Sequence, residues 1–284
     1  MKKYSLIILS FLFISLIFSC KKDKIENSTI TTEDEAVAFS TYLDVFKVFD
    51  VTMQKERLDN YKINNTQAQL NSPTVTVVNL DALLPYPKEI TIDFGAKTDT
   101  CIWFDGPTRS GKIIANISAP YLQTGSEVKI KFEEYYIDGK KVEGEQKIKN
   151  IGRNSSAKMQ FETEVIAGII TKKDGEKIDW ACKLTSEWYY GEETKDATSG
   201  FSAILDDEYY ITGTVTGTDS EDRSYTGEIK TPLYVNLGCR WVKSGTVNIK
   251  PSDVSERTLI YGNGECDEKA IVTIGTHSYE IYIR

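Results

Sequence analysis

The stretch VKIKFE, residues 128–133, alternates apolar side chains with charged ones. Successive side chains of a β-strand point to opposite faces of a sheet, so this alternation predicts a strand with one buried and one solvated face. The same pattern recurs in three further runs, at residues 159–165, 178–188 and 279–283. Turn dipeptides of the Asp-Gly and Asn-Gly types lie between runs of this kind and favour hairpins between neighbouring strands.

Roughly a dozen such runs fit between residues 73 and 284, and no long helical period interrupts them. We therefore predict a mainly β protein, built as an antiparallel meander that forms a curved sheet, a sandwich or an open barrel. The patterns leave the choice among these three forms open. The all-β domain is expected to cover residues 73–284.

The chain before this domain has a different character. No Pro or Gly occurs from Thr31 to Leu70, and apolar residues recur at close to the helical period, at Val37, Phe39, Leu43, Phe46 and Phe49. This spacing predicts one amphipathic N-terminal helix over residues 33–60, followed by a linker over residues 61–72. The apolar stripe is expected to pack on the β body, and a coiled-coil or partner helix is the alternative.

The first nineteen residues have the features of an export signal. Lys2 and Lys3 precede an apolar run of about 20 Å in helical length, which is too short for a hydrocarbon core of about 30 Å. We therefore predict a signal peptide over residues 1–19 and a polar tether over residues 20–32. Ser19-Cys20 resembles a bacterial lipobox, which implies cleavage before Cys20 and acylation of Cys20. Ordinary secretory cleavage near Ser19 is the alternative.

The charge balance bears on partners. The chain has a formal net charge of −8, and loss of Lys2 and Lys3 with the signal peptide would take it to −10. An acidic chain without a Lys/Arg cluster repels phosphate backbones, so nucleic acid is not an expected partner. The charge mostly favours solubility.

The segment GPTRSGKI, residues 106–113, matches the first three fixed positions of the phosphate-binding pattern G-x-x-x-x-G-K-[ST]. The pattern then requires a Ser or Thr for Mg²⁺ and a helix whose N-terminus faces the phosphate. Ile113 stands at the hydroxyl position, and β-branched residues follow instead of a helix former. We predict that GPTRSG, residues 106–111, is a loop between strands, that a strand follows it, and that a nucleotide is not a partner.

The sequence offers few residues that could act as a catalytic base or a zinc ligand. His277 is the only histidine and lies between two short strands, so we expect a solvated hairpin residue and no catalytic base. A closed zinc site needs four Cys or His ligands at suitable spacing, and none of the cysteines forms a C-x-x-C pair. No catalytic set, metal or cofactor is therefore expected.

Two clusters remain as candidates. Glycoside hydrolysis requires two carboxylates at a set separation, and the acidic run Asp206-Asp207-Glu208 is the most suggestive group. Its simpler interpretation is a charged loop before a strand. The aromatic run Trp188-Tyr189-Tyr190 is a candidate ligand-contact surface, because exposed rings on a sheet stack on sugars or anchor a protein partner. The alternative is that outward tyrosines pair across strands.

The cysteine positions predict one disulfide. If the run beginning at Cys239 and the run from Arg257 form a hairpin centred near Asp253, paired positions sum to about 506. Cys239 then lies one residue out of register with Cys266, and a bulge at residues 262–264 would absorb the offset. We predict a Cys239–Cys266 disulfide. Cys182 shares the parity of buried residues, and whether it pairs with Cys101 is left open.

The order of distinctive segments resembles uncharacterised Bacteroidetes-type cell-envelope lipoproteins. The segments are the Ser19-Cys20 lipobox, PKEITIDFG at 87–95, TRSGKI at 108–113, DGEKIDW at 174–180, YYITGTVTG at 209–217, CRWVKSGTVNI at 239–249 and YGNGECD at 261–267. The resemblance implies a lipid-anchored outer-membrane protein, periplasmic or surface-facing. It implies no activity, cofactor or catalytic residue.

Three hypotheses of function follow. The first is a lipoprotein with a non-catalytic binding or structural role at the cell envelope, held to the membrane by its lipid and in contact with a glycan or protein. The second is a carbohydrate-active hydrolase that uses an Asp/Glu pair. The third is a carrier of lipid or another apolar ligand, since a curved meander with a helix could enclose an apolar cavity.

Overall fold

The computed structural model describes residues 26–59, 73–97, 101–104, 106–193 and 202–284. The described helices are α1, Ile30–Asp59, and the short α2, Ser202–Leu205. The strands are β1 (Thr74–Asn79), β2 (Lys88–Asp93), β3 (Cys101–Ile102), β4 (Thr108–Ile117), β5 (Glu127–Ile137), β6 (Lys140–Arg153), β7 (Met159–Thr171), β8 (Lys177–Tyr190), β9 (Glu208–Thr218), β10 (Ser224–Asn236), β11 (Ser244–Pro251), β12 (Arg257–Asn263), β13 (Lys269–Ile274) and β14 (His277–Tyr282).

All fourteen strands belong to one open antiparallel sheet. Each strand bonds to its neighbours in the chain, except that β2 pairs with β4 and the two-residue β3 pairs only with β4. The prediction of a mainly β, antiparallel meander after one N-terminal helix is confirmed. A sandwich would require two sheets, and the described strands form one.

The sheet curves around α1. Side chains of α1 are buried from Thr31 to Gln54, apart from exposed Glu33 and three half-buried positions. The apolar stripe packs on the β body as predicted, but the polar side of the helix is buried as well. Strands from β4 to β12 contact α1, so the sheet covers more than one side of the helix.

Many of the buried polar side chains of α1 bond to the sheet or to a loop beside it. The bonds are from Ser220 N and Oγ to Asp34 (2.7 and 2.6 Å), from Trp180 Nε1 and Tyr225 OH to Glu35 (2.8 and 2.9 Å), from Tyr42 OH to the Glu143 carbonyl (2.7 Å), from Arg109 Nε to Asp44 (3.0 Å), from Lys47 Nζ to the Cys239 carbonyl (2.6 Å) and from Tyr209 OH to Asp50 (2.9 Å). These bonds offset the desolvation of groups that would be costly to bury alone.

Only some of the predicted segment boundaries lie within the described residues. The helix begins at Ile30, within the predicted tether, and ends at Asp59. The signal peptide at 1–19, Cys20 and the linker at 61–72 lie outside the described residues. None of the described helices combines the length and apolarity needed to cross a bilayer.

The predicted disulfide is confirmed. Cys239 and Cys266 are bonded with a Cα–Cα distance of 5.8 Å. Strands β11 and β12 form the expected hairpin, and its pairs Val247–Leu259 and Thr246–Ile260 have the register that sums to 506. The register shifts beside Ser244, where the extra residue absorbs the offset. Cys101 and Cys182 are buried thiols and do not pair with each other.

The prediction of a loop over residues 106–111 is wrong for most of its length, because strand β4 begins at Thr108. The remainder of the segment that matches the phosphate-binding pattern therefore belongs to β4. Lys112 lies on the outer face, where its Nζ is 2.9 Å from Glu133 Oε1. Arg109 points inward and is fully buried against α1. No helix follows, so the segment lacks the helix N-terminus that a phosphate loop requires.

Candidate functional site

The acidic run before β9 does not converge on one cleft. Asp207 is fully buried, and its carboxylate accepts a bond from Gln54 Nε2 of α1 at 2.9 Å. Glu208 lies on the outer face and accepts a bond from Tyr234 OH at 2.5 Å. The sheet backbone separates these two carboxylates, because Asp207 bonds to the enclosed helix while Glu208 bonds to an outward side chain. This arrangement does not favour a shared glycosidic bond between them.

The aromatic run at the end of β8 divides between the two faces of the sheet. Trp188 is only 1 % exposed and stacks inside on Tyr209, so it is removed from the predicted contact surface. Tyr189 and Tyr190 are 45 % and 53 % exposed. Strict alternation would bury one of these two tyrosines, but the register shifts between Trp188 and Tyr190 and leaves both outside.

Tyr189 is the first member of a row of outward rings, which we call the tyrosine ridge. Its ring centroid lies 4.8 Å from that of Tyr210 on β9, and Tyr210 lies 5.5 Å from Tyr234 on β10. The ridge therefore crosses three strands at right angles to their direction. The cross-strand pairing that was the alternative interpretation is present, and it fixes the three rings in one continuous apolar surface.

Cations lie at both ends of the tyrosine ridge. Lys158 Nζ is 5.7 Å from the centroid of Tyr189, and Lys243 Nζ is 5.0 Å from the centroid of Tyr234. Partial burial, followed by the neighbouring Tyr189 and Glu208, raises the pKa of Tyr210. Partial burial and the Glu208 bond also raise the pKa of Tyr234. These two phenols therefore stay neutral near pH 7.

The chemistry of the tyrosine ridge suits recognition of flat, polar-edged ligands. Neutral phenols present an apolar face for stacking and a hydroxyl for hydrogen bonding. The flanking ammonium groups add attraction for an acidic substituent. The Glu208 carboxylate lies beside the rings and accepts the bond from Tyr234 OH. The exposed ring faces of the ridge suit it to binding by stacking.

Glu35 is a strongly perturbed carboxyl group, and it lies inside the sheet. Burial raises its pKa from 4.5 to about 8, although bonds from Trp180 and Tyr225 lower it. Both bonds end on Oε2, and Oε1 has no hydrogen-bond partner in the described structure. A side chain with 0 % exposure does not reach a substrate, so we assign Glu35 a structural role.

Other reactive residues are scattered. His277 begins β14 and is exposed. Among the described ranges, no group of three or more His, Cys, Asp or Glu side chains has an arrangement that could hold a metal ion.

Sequence reasoning found part of the tyrosine ridge and missed the rest. Tyr189 and Tyr190 were predicted, whereas Tyr210 appeared only within the segment YYITGTVTG at 209–217. Tyr234 was missed, although buried Leu233 and Val235 flank it and their alternation places it outward. The two lysines come from a loop before β7 and a loop before β11, so no local pattern connects them to the ridge.

The chain matches no protein-family model, no curated protein and no solved structure in the comparisons.

Proposed function

We propose that this chain is a lipid-anchored protein of the outer membrane with a non-catalytic binding role, and that the tyrosine ridge is its ligand-contact surface. The single observation that carries the proposal is the continuous row of Tyr189, Tyr210 and Tyr234 with a lysine at each end. The ligand class that fits is a saccharide with an acidic substituent. Its ring would stack on the tyrosines, and its charge would meet Lys158 or Lys243.

The position of the ridge relative to the proposed anchor supports this role. The anchor precedes α1, whereas Tyr209, which adjoins the ridge in sequence, bonds to Asp50 far along α1. The helix rises about 1.5 Å per residue, so Asp50 lies about 30 Å beyond Ile30. A protein anchored at Cys20 would therefore hold the ridge away from the bilayer, where envelope or external glycans are accessible.

The rigidity of the body also supports a binding role. Eight polar residues of α1 bond to the surrounding sheet or its loops, and a disulfide closes the hairpin of β11 and β12. A surface fixed in this way loses little conformational entropy when a ligand binds, which favours affinity.

A glycan array is the direct test. The full chain, purified in detergent, is expected to bind acidic glycans in preference to their neutral counterparts. Replacement of the outer rings, Tyr189→Ala with Tyr234→Ala, is expected to weaken binding roughly tenfold or more, because stacked anchors dominate such interfaces. Tyr136→Ala is the matched control, since Tyr136 is another outward tyrosine, on β5 and outside the ridge.

Binding that survives in the double variant would place the ligand elsewhere on the molecule. Binding lost equally in Tyr136→Ala would show that removal of any outward tyrosine is disruptive, and would contradict the role of the ridge.

A carrier of an apolar ligand is the second candidate, on one specific observation. A cavity of about 390 Å³ lies near the C-terminal part of α1 and is lined mainly by apolar side chains, among them Met53, Val77, Tyr86, Ile117 and Leu122. Native mass spectrometry of the protein without its acyl anchor would test for cargo. Bound lipid there, together with unchanged glycan binding by the ridge variants, would favour the carrier.

A further inference from the structure

A second candidate site lies at the opposite part of α1, where loops of the sheet approach the start of the helix. It is a cleft of about 580 Å³, which we call the basic cleft. Five cationic side chains line it, namely Lys140, Lys172, Lys173, Arg240 and Arg284, and the rings of Trp241 and Tyr282 complete its walls. Such a concentration of cations is unexpected on a chain with a formal net charge of −8.

Three of the five cations already have carboxylate partners. Lys172 Nζ lies 2.6 Å from Asp34 Oδ1. Arg240 pairs with Asp138. Arg284 lies 3.6 Å from Glu268. Glu33, the remaining acid in the lining, is exposed and accepts a bond from the Thr29 hydroxyl.

The side chains of Lys140 and Lys173 form no hydrogen bond or ion pair within the described structure. They lie close together, because a Cβ added to Gly139 would be 2.7 Å from Cε of Lys173. Burial lowers the pKa of Lys140, and the charges of Arg240 and Lys173 lower it further, against the opposing effect of Asp138 and Asp44. Asp138 pairs with Arg240 and Asp44 with Arg109, so neither acid forms an ion pair with the two ammonium groups.

The wall that carries Arg240 is held in place by several covalent and polar contacts. The Cys239–Cys266 disulfide fixes the chain immediately before Arg240. Lys47 of α1 donates to the Cys239 carbonyl at 2.6 Å. The Arg240 guanidinium lies 4.5 Å from the centroid of the Trp241 ring. The site is therefore preorganised before any ligand binds.

We propose that the basic cleft binds a phosphate monoester, with Lys140, Lys173 and Arg240 contacting its oxygens. A phosphate monoester carries about −1.5 to −2 charges near pH 7 and has three acceptor oxygens. These suit two ammonium groups that have no ion-pair partner in the described structure and that lie beside a guanidinium. A carboxylate has one charge and two oxygens, so it would leave one of the ammonium groups uncompensated.

Two sources would supply this group. The cleft includes Glu33 and Asp34 in the first turn of α1, close in sequence to the proposed anchor at Cys20. A phosphorylated lipid headgroup is therefore one source, and a soluble phosphate ester is the other. The proposal does not depend on the tyrosine ridge, and Tyr234→Ala is expected to leave phosphate binding unchanged.

Protection of the lysine amines from acylation, followed by mass spectrometry, tests the site directly. The full chain in detergent would be labelled with an N-hydroxysuccinimide ester in the presence of inorganic phosphate, glycerol 3-phosphate or inorganic sulfate. In separate samples it would be reconstituted into phosphatidylcholine vesicles with or without phosphatidic acid. The proposal predicts protection of Lys140 and Lys173 by the phosphate probes and no change at Lys183, which is 78 % exposed on β8.

Substitution provides the matched comparison. Lys140→Gln with Lys173→Gln is expected to weaken phosphate binding about tenfold or more, because both ammonium groups that contact the phosphate are removed, while Lys183→Gln leaves it unchanged. If the double variant folds poorly, Lys173→Gln alone serves as the test, because Lys173 is exposed and its replacement is not expected to disturb folding. It should also weaken phosphate binding.

Protection by phosphatidic acid alone would identify a lipid headgroup, and protection by the soluble esters alone would identify a soluble ligand. Equal protection by sulfate would overturn the assignment to phosphate. Absence of protection by all phosphate probes, or equal binding in the double variant, would overturn the site.

Discussion

Arg109 of β4 and Asp44 of α1 form a bidentate ion pair inside the sheet. Arg109 Nε donates to Asp44 Oδ2 at 3.0 Å, Nη2 donates to Oδ1, and Tyr135 OH donates to Oδ2 at 3.3 Å. The Arg109 side chain has no exposed surface. The most distinctive sequence segment, TRSGKI, therefore contributes an arginine that holds the helix.

Removal of Arg109 is expected to be strongly destabilising. Arg109→Leu leaves the Asp44 carboxylate buried without its cation, which costs roughly 3–5 kcal/mol of unfolding free energy. Urea denaturation measures the loss. Lys112→Ala is the control, because Lys112 forms only a surface pair with Glu133, and its denaturation midpoint is expected to stay unchanged. Equal midpoints for the two variants would contradict a structural role for the buried pair.

The two glycines of GPTRSGKI, residues 106–113, are expected to differ in how much a substitution by alanine destabilises the protein. Gly111 has a φ of +77°, and an added Cβ would lie 1.9 Å from the Glu134 carbonyl oxygen. Gly106 has a φ of +98°, but nothing lies within 4 Å of an added Cβ. Gly106→Ala should cost only the left-handed strain, about 1–2 kcal/mol, whereas Gly111→Ala must also separate β4 from β5. Thermal unfolding of both variants checks the order, and a larger loss in Gly106→Ala would contradict it.

Glu35 is expected to make stability depend on pH. Its pKa rises from 4.5 in the unfolded chain to about 8 in the folded protein. The folded state therefore retains a proton that the unfolded state loses, so the contribution of Glu35 is fully present below about pH 4.5 and is lost as the pH rises to about 8. The total is about 5 kcal/mol.

Glu35→Gln isolates this contribution, since an amide does not titrate. Denaturant unfolding at several pH values is expected to show the wild-type protein losing stability relative to the variant between about pH 4.5 and 8, and no further relative loss above that range. Parallel curves for the two proteins would show that Glu35 is not a buried neutral acid.

The disulfide is expected to stabilise the hairpin of β11 and β12. Its cysteines are 27 residues apart, and closure of such a loop contributes roughly 3 kcal/mol. Cys239→Ala with Cys266→Ala should lose about this amount in denaturant unfolding. Reducing agent should destabilise the wild-type protein but leave the double variant unchanged, and a response from the variant would point to another bond.

The strands of the sheet were predictable because the pattern that indicates a strand extends over only a few neighbouring residues. Alternation over a few residues predicts which side chains face inward, and this held for Ile178, Trp180 and Cys182 on β8. Symmetry of one hairpin about residue 253 was sufficient to predict the Cys239–Cys266 bond. Trp188 has the same inward parity. It was nevertheless predicted to contact ligand, because it stands in sequence next to Tyr189 and Tyr190, which are exposed.

The environment of α1 was not predictable from the same kind of pattern. Charged residues on one side of a helix ordinarily indicate solvent, because an isolated buried charge is costly. Here Asp34, Glu35, Asp44, Lys47 and Asp50 meet partners on strands or loops far away in the sequence. The basic cleft was missed for the same reason, since Lys140, Lys173 and Arg240 come from three separate parts of the chain.

The enclosure of α1 by the sheet is the central claim, and hydrogen exchange tests it most directly. If the sheet surrounds the helix, amides from Thr31 to Gln54 can exchange only when the whole domain unfolds, with the same free energy of opening as the amides of β7 and β8. Exchange of α1 through a lower-energy opening, while β7 and β8 stay protected, would show a helix docked by one face and would contradict the account.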